Sequence, residues 1–377
     1  MFKVFNKKKY CNNKIIFISP DINSGGAENI IFNLAKATNK NDILLISLTD
    51  IGYYGSILRK EGYKIHSLNM KKNIFVFFKI IYLLILIIRF KPRIVQTWLY
   101  HANLVGGIAA KLLGVKKIYW TVHHDFEYRN LYMMLEMRIL VFLSYIIPDK
   151  IIYGSNPVKN NHVLNGYFRE KSIVINNGVS TSKFRPIPEL RDSIRKDLNI
   201  TKKCLLLGNI ARYIPLKDHE TLLKSLKILK SKGINFKCLL IGQGLSNENR
   251  EFKIRIKKYG LEDKVILYGK TYEINHILNA FDINILTSKK ECSPISLIES
   301  MSTGIPCIST NVGDAIELIG DSGWVVNTSD YKSIAKLIMD INLDKKILKI
   351  KSNIARKRVE KNYPIEKMIN KYKKLYR

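Results

Sequence analysis

Short apolar runs recur along this chain at intervals that leave room for one helix each, and they do so in two successive sets. The first set is Ile15–Ser19, Ile43–Leu48, Lys64–Leu68, Ile94–Thr97, Ile118–Val122, Ile151–Tyr153 and Ile173–Ile175. The second is Cys204–Ile210, Phe236–Ile241, Val265–Tyr268, Ile283–Leu286 and Pro306–Ser309. Near-continuous apolar runs predict strands covered on both faces, as in a parallel sheet. The segments between them carry helical stripes, such as Ala27, Ile30, Ile31, Leu34 and Ala35, or Leu222, Leu223, Leu226 and Leu229. The pattern therefore predicts an α/β chain of two Rossmann-like, doubly wound domains. Such sheets bind ligands beyond the carboxyl ends of their strands, so two of them facing each other would enclose a central cleft.

The turn-rich segment from Asn177-Gly178-Val179-Ser180 to Phe184-Arg185-Pro186-Ile187-Pro188 reads as the linker. It sets the expected domains at 1–185 and 186–360, with 361–377 a terminal helix expected to pack back on the first domain. The 377 residues suffice for two such domains.

Charge narrows the partners. The chain holds 63 Lys+Arg against 31 Asp+Glu, a net charge of +32. So large an excess predicts an anionic partner: nucleic acid, an acidic membrane face or a phosphorylated substrate. It is spread along the chain, 27 basic against 10 acidic residues in 1–185 and 36 against 21 in 186–377. No nucleic-acid-binding motif accompanies it, so no specific nucleic-acid partner is expected. Cys11, Cys204, Cys238, Cys292 and Cys307 are odd in number and form no C-x-x-C pair. That argues against a disulfide framework or zinc ribbon and fits a reducing cytoplasm. The opening MFKVFNKKKYCNNK has no apolar core and does not read as a secretory signal. Ile74–Ile88 is apolar, but it is shorter than the ~20 residues of a membrane span and Lys79 interrupts it. It reads as a helix packed into the first domain or lying on a membrane surface, with a true span as the remaining alternative. Its flanking Lys71, Lys72, Arg89, Lys91 and Arg93 predict peripheral, salt-reversible binding to anionic vesicles.

Four constellations have residue types suited to chemistry. Ser24-Gly25-Gly26-Ala27-Glu28 joins a strand to a helix; its amides could approach a phosphate at the helix's positive end, or it is simply a tight turn. Arg212 and Lys217 flank a Pro-containing loop after Cys204–Ile210. A planar fork beside a point charge suits a diphosphate, and the alternative is two more surface cations. In Glu291-Cys292-Ser293-Pro294-Ile295-Ser296-Leu297-Ile298-Glu299, Pro294 suits the first turn of a helix, leaving the N–H groups of Ile295, Ser296 and Leu297 for an anion. Glu291 and Glu299 could then accept hydrogen bonds from hydroxyls flanking a phosphate, or be solvated. In Trp120-Thr121-Val122-His123-His124-Asp125, a histidine at a strand end could donate to a substrate oxygen, bind a phosphate or merely pack. Strand alternation turns only one of the neighbours inward, and His123 is the choice. Neither has a third metal ligand at suitable spacing. His101, near Trp98, reads as a packing or acceptor-side residue. No D-x-D occurs, which removes the commonest short carboxylate pair for a metal on a nucleotide diphosphate.

Taken in order, Gly25-Gly26-Ala27-Glu28, Val122-His123, Asn177-Gly178-Val179, Arg212 with Lys217, Gly242-Gln243-Gly244, Glu291-x7-Glu299, Met301-Ser302-Thr303-Gly304-Ile305-Pro306-Cys307-Ile308 and Gly313-Asp314 resemble glycosyltransferase family 4. These are retaining nucleotide-sugar transferases of the GT-B fold, and the resemblance spans about residues 14–377. It implies that Arg212 and Lys217 bind the donor diphosphate, Glu291 the donor sugar and Glu299 the ribose hydroxyls. Phosphate oxygens would fall to the segment Ser293, Pro294, Ile295 and Ser296 and to Gly25 and Gly26, with His123 at the reaction centre. His123 and Glu291 are thus the expected catalytic residues, and neither Glu291 nor Glu299 is read as a nucleophile. No metal and no cofactor beyond the donor itself are implied. The implied acceptor is a glycan or lipid-linked glycan for a cell-surface polysaccharide, met at the inner face of the cell membrane. The chain departs from the family at Cys292-Ser293, where Gly-Phe more often precedes the proline, and at Ser180, where Asp usually follows Asn-Gly-Val. The competing readings are a non-hydrolysing nucleotide-sugar epimerase, an inactive transferase-like scaffold and a nucleic-acid-binding protein.

Overall fold

The computed structural model describes residues 14–70, 76–125 and 131–377. Cys11, Lys71, Lys72 and Ile74 lie outside them. The chain divides into two compact units, Met1–Asn176 with Ile369–Arg377, and Asn177–Met368.

The first unit is built on β1 (Ile15–Ser19), β2 (Ile43–Ser47), β3 (Lys64–Ser67), β4 (Ile94–Trp98), β5 (Lys117–Val122), β6 (Lys150–Tyr153) and β7 (Ser172–Val174). They form one sheet in the order β3-β2-β1-β4-β5-β6-β7, with every pairing parallel. β1, β2 and β4 are buried along their whole length, as their unbroken apolar runs require. The second unit holds β8 (Leu205–Ile210), β9 (Phe236–Ile241), β10 (Val265–Gly269), β11 (Ile283–Leu286), β12 (Cys307–Thr310) and β13 (Trp324–Val326). Their order, β10-β9-β8-β11-β12-β13, repeats the doubly wound pattern, again all parallel. Each sheet reverses its winding once, between β1 and β4 and between β8 and β11. At such a switch point two neighbouring loops diverge to opposite faces and leave a crevice.

Three sequence expectations are corrected. The boundary falls at Asn176–Asn177 rather than at 185, because the turn-rich segment is no linker: Val179 and Phe184 are buried in the core of the second unit. The second is one of bounds: the terminal helix expected in 361–377 is Ile365–Tyr376, and a separate helix, Lys346–Asn362, ends just inside that range. They part at Tyr363-Pro364, where Val179 N donates to Tyr363 O at 3.0 Å. Only Ile369–Arg377 belongs to the first unit. There Tyr119 Oη donates to Leu375 O at 2.9 Å and Arg93 Nη2 to Arg377 O at 2.7 Å. The third correction is β13, unforeseen because it is a three-residue edge strand, only half-buried, that follows Gly320 and Gly323.

Ile74–Ile88 corresponds to a helix described from Val76 to Phe90. It buries Leu83, Leu86 and Ile87, yet Phe77, Phe78 and Ile88 are more than half exposed. The segment is therefore amphipathic in packing and is not wholly core. Among the described residues no helix is long and apolar enough to cross a membrane.

Candidate functional site

The switch point of the second unit gathers the residues singled out in its sequence. β8 delivers the loop from Ala211 to Asp218, and β11 delivers the loop from Thr287 to Pro294. Lys289 N donates to Leu216 O at 2.8 Å and Thr287 Oγ1 to Lys217 O at 3.0 Å, tying the two loops together. Two glycines set their shape. Gly313 has φ +53°, and a Cβ on it would stand 2.3 Å from Cys292 O. Gly242 has φ +153°, and a Cβ on it would stand 1.9 Å from Ala211 O. A side chain at either position would push a site loop away.

Arg212 is exposed, and its guanidinium has no hydrogen-bond or ion-pair partner among the described residues. Lys217 differs. Its Nζ pairs with Glu291 Oε1, and Ser288 Oγ donates to the same oxygen at 2.6 Å. Both side chains of the pair are mostly buried, 19% and 14% exposed. The residues expected to hold diphosphate and sugar thus pair with each other. Asp218, at φ +46°, caps the following helix, His219–Ser231, and accepts from Thr221 Oγ1 at 2.8 Å. Burial drives His219 down to about 4, and Lys217 adds to the effect. Its Nε2 is buried without a partner among the described residues.

The helix Ile295–Ser302 begins one residue later than expected. Pro294 is its cap, at φ −72° and ψ 101°. Leu297 N donates to Pro294 O at 3.1 Å, which closes the first turn and leaves the N–H groups of Ile295 and Ser296 for an anion. Ser293 is buried: its Oγ donates to Asp314 Oδ2 at 3.0 Å, and its carbonyl accepts from Asn177 Nδ2 at 3.3 Å. It is a support for the loop more than a ligand contact. Burial raises Asp314 to about 7, opposed by the Ser293 hydrogen bond, and its Oδ1 has no partner among the described residues. Glu299 stands in the second turn, half-buried. Burial pushes its carboxyl up to about 7, with the Lys183 charge pulling the other way.

In the first unit, Gly25 caps the helix Gly26–Lys36 in extended conformation. A Cβ there would come 2.2 Å from Glu28 Oε2, so the first-turn carboxylate of this helix already covers the turn expected to take a phosphate. His123 follows the end of β5 and is half-buried, while His124 is exposed. The His123 ring stacks on Trp98, 5.7 Å between centroids and 6° between planes. Burial lowers it to about 3, and the neighbouring His124 acts in the same direction. It is neutral at physiological pH, which favours hydrogen bonding to a hydroxyl over holding a phosphate. His101 Nδ1 lies 2.5 Å from the buried Glu136 Oε1, and this contact raises its pKa. Among the described residues no group of three His, Cys, Asp or Glu could hold a metal ion.

Sequence reasoning gave no role to Asp314 and missed His219, Ser288, Glu136 and the Trp98 platform. Only Gly313-Asp314 offered a signal, in which the glycine marks the turn that aims the aspartate at Ser293. The others gain their roles from packing across elements distant in sequence.

Two family models match in tandem, one on each half of the chain. Glycosyltransferase Family 4 matches residues 24–183 and Glycosyl transferases group 1 residues 191–358. The chain belongs to the family 4 type of glycosyltransferase, with the GT-B fold. It is 27% identical to the capsular polysaccharide biosynthesis glycosyltransferase CapM of Staphylococcus aureus over 79% of this chain and 80% of that one. It is also 27% identical to the UDP-Gal:alpha-D-GlcNAc-diphosphoundecaprenol alpha-1,3-galactosyltransferase of Escherichia coli, over 76% and 75%. Among solved structures, Anabaena HepE in complex with UDP and glucose superposes with a TM-score of 0.85 at 19% identity, covering 96% of this chain and 98% of that one. A likeness at that identity speaks for the fold.

Proposed function

We propose that this glycosyltransferase moves a sugar from a uridine diphosphate sugar to a lipid-linked glycan of a cell-surface polysaccharide. In this reading the anomeric configuration is kept, no metal ion takes part, and the enzyme works at the cytoplasmic face of the membrane. One observation carries the proposal: Arg212, the Lys217–Glu291 pair and the open amides of Ile295 and Ser296 share the switch point between β8 and β11. The carrier and acceptor rest on the relatives, one of which uses a UDP-sugar and a diphosphoundecaprenol acceptor by its name.

The leaving group of such a transfer is a nucleoside diphosphate, on which negative charge grows as the glycosidic bond breaks. The Arg212 fork can take two of its oxygens and the helix amides a third. Lys217 then shares its charge between Glu291 and the phosphate, which frees Glu291 for a sugar hydroxyl. Glu299 is suited to the ribose. Its carboxyl, near neutrality, can accept or donate a hydrogen bond. The cations stand where a metal would otherwise neutralise the diphosphate.

The test is transfer from UDP-, GDP- and ADP-sugars to a polyprenyl-diphosphate sugar in excess EDTA, with the new linkage read by NMR. Retained configuration with the UDP-sugar in EDTA is expected. A strict requirement for Mn²⁺, an inverted product, or epimerisation of the donor without acceptor would each overturn the proposal.

A further inference from the structure

The helices Val76–Phe90, Leu99–Leu112 and Leu131–Ile146 connect strands wound in the same direction, from β3 to β4, β4 to β5 and β5 to β6. Right-handed crossovers therefore place all three on one face of the first unit's sheet. The middle helix packs against both of the others. Fourteen of the twenty-two large apolar residues exposed among the described residues lie on these three helices. Phe77, Phe78 and Ile88 on one flank and Leu131, Phe142 and Tyr145 on the other are each at least half exposed, Phe77 and Phe142 about two-thirds. The two outer helices carry thirteen of the fourteen and the middle helix only Leu112; a water-facing surface gains nothing from such residues, and apolar side chains gathered on one face of a sheet mark an interaction site.

The charges on the same helices select the partner. Their one acidic residue, Glu136, is buried and bound to His101. No exposed carboxylate remains on any of the three. Arg89, Lys111 and Arg138 are exposed there, and Lys91 and Lys116 follow the helix ends. A face that is apolar, free of exposed carboxylates and fringed by cations complements an anionic lipid leaflet. Helices of 15, 14 and 16 residues are about 21–24 Å long, too short to cross a hydrocarbon core of about 30 Å.

We infer that the outer face of these three helices docks on an anionic bilayer, inserting its aromatic and aliphatic side chains among the lipid headgroups, so that charge is only part of the attachment. The inference deepens the reading of a lipid-linked acceptor and rests on it for its purpose, but not for its test. Each helix runs back against its strands, so its N-terminal end lies at the sheet edge where His123 leaves β5. Arg89, Lys91, Lys111 and Lys116 lie at the opposite, C-terminal ends of their helices, so docking lays the helices along the lipid surface with that edge at one end of the contact.

The measurement is co-sedimentation of the full chain with vesicles of phosphatidylglycerol and phosphatidylethanolamine, with no turnover involved. Binding is expected to persist in large part at about 0.5 M salt, where exposed charges are screened within a few ångströms. Phe77→Glu combined with Phe142→Glu changes two exposed positions. It is expected to weaken binding by about tenfold or more, with circular dichroism and thermal midpoint unchanged. Three results would overturn the inference. One is no binding by the parent chain. Another is complete release by salt with no effect of the double variant. The third is a parent dimer in solution that the double variant dissociates, which would assign the face to a second copy. Failure here leaves transfer to a soluble acceptor measurable, so it is distinguishable from failure of the enzymatic reading.

Discussion

Arg212 and Lys217 stand on one loop, yet only Arg212 is uncommitted, since Lys217 is already neutralised by Glu291. Arg212 therefore has its whole charge to offer a diphosphate. Arg212→Ala is expected to lower kcat/KM by about 2–4 kcal/mol of transition-state stabilisation, the scale of one preorganised donor. Steady-state kinetics showing a change under about threefold would reject its role. Glu299 carries a second prediction. Its folded-state value, about 7, lies above the ordinary 4.5. The folded chain thus keeps a proton that the unfolded chain gives up. The stability this represents is full below about pH 4.5 and is lost as pH rises through 7. Glu299→Gln removes the penalty of an ionised, half-buried carboxylate. The variant should be more stable than the parent by roughly 1–3 kcal/mol at pH 8, with the advantage gone near pH 4. Asp314 titrates in the same range in both proteins and cancels from the difference. Urea unfolding at the two pH values measures it, and an equal advantage at both would contradict the assignment.

At the scale of elements, the strands announced themselves and the contacts between their loops did not. Ile15–Ser19, Phe236–Ile241 and Ile283–Leu286 read correctly to the residue because a strand covered on both faces is mostly apolar, with Ser19, Lys237 and Asn284 as its few polar positions here. The loops after β8 and β11 were legible as chemistry-bearing, since strand ends in a doubly wound sheet point at ligand. That Lys217 would be spent on Glu291 was not legible: the pairing spans 74 positions and depends on the register of β8 against β11. Leu297 was likewise misjudged, because whether Pro294 caps the helix or begins it turns on one backbone angle. Gly313 is the element-level test. Its left-handed φ and its 2.3 Å approach to Cys292 O mean that Gly313→Ala must displace the loop carrying Glu291. The variant should fold, with a stability loss of about 1–3 kcal/mol, and should raise the KM for the donor sugar more than that for the acceptor. An unchanged donor KM would show that the Glu291 loop does not contact the donor.

At the scale of the whole molecule, two units with separate sheets and cores share one chain, and the proposed donor contacts on the β8–β11 side all lie within Asn177–Met368. The first unit offers a glycine turn as well, but Glu28 covers it with a negative charge. The exposed Arg212 favours the second unit for a phosphate. Nucleotide binding should therefore stabilise one unit selectively. A ligand that binds only the folded form at 100 times its Kd stabilises it by about 2.7 kcal/mol, equivalent to about a hundredfold slowing of exchange through unfolding. Hydrogen–deuterium exchange with UDP at that excess should slow the amides of β8, β9, β11 and β12 by approaching that factor. The largest local protection is expected at 211–218 and 287–299. Amides of β1 and β2 should slow far less. Protection centred on β1 and the Gly25–Gly26 turn would move the donor to the first unit, and Arg212 and Lys217 would then be ordinary members of a strongly basic surface.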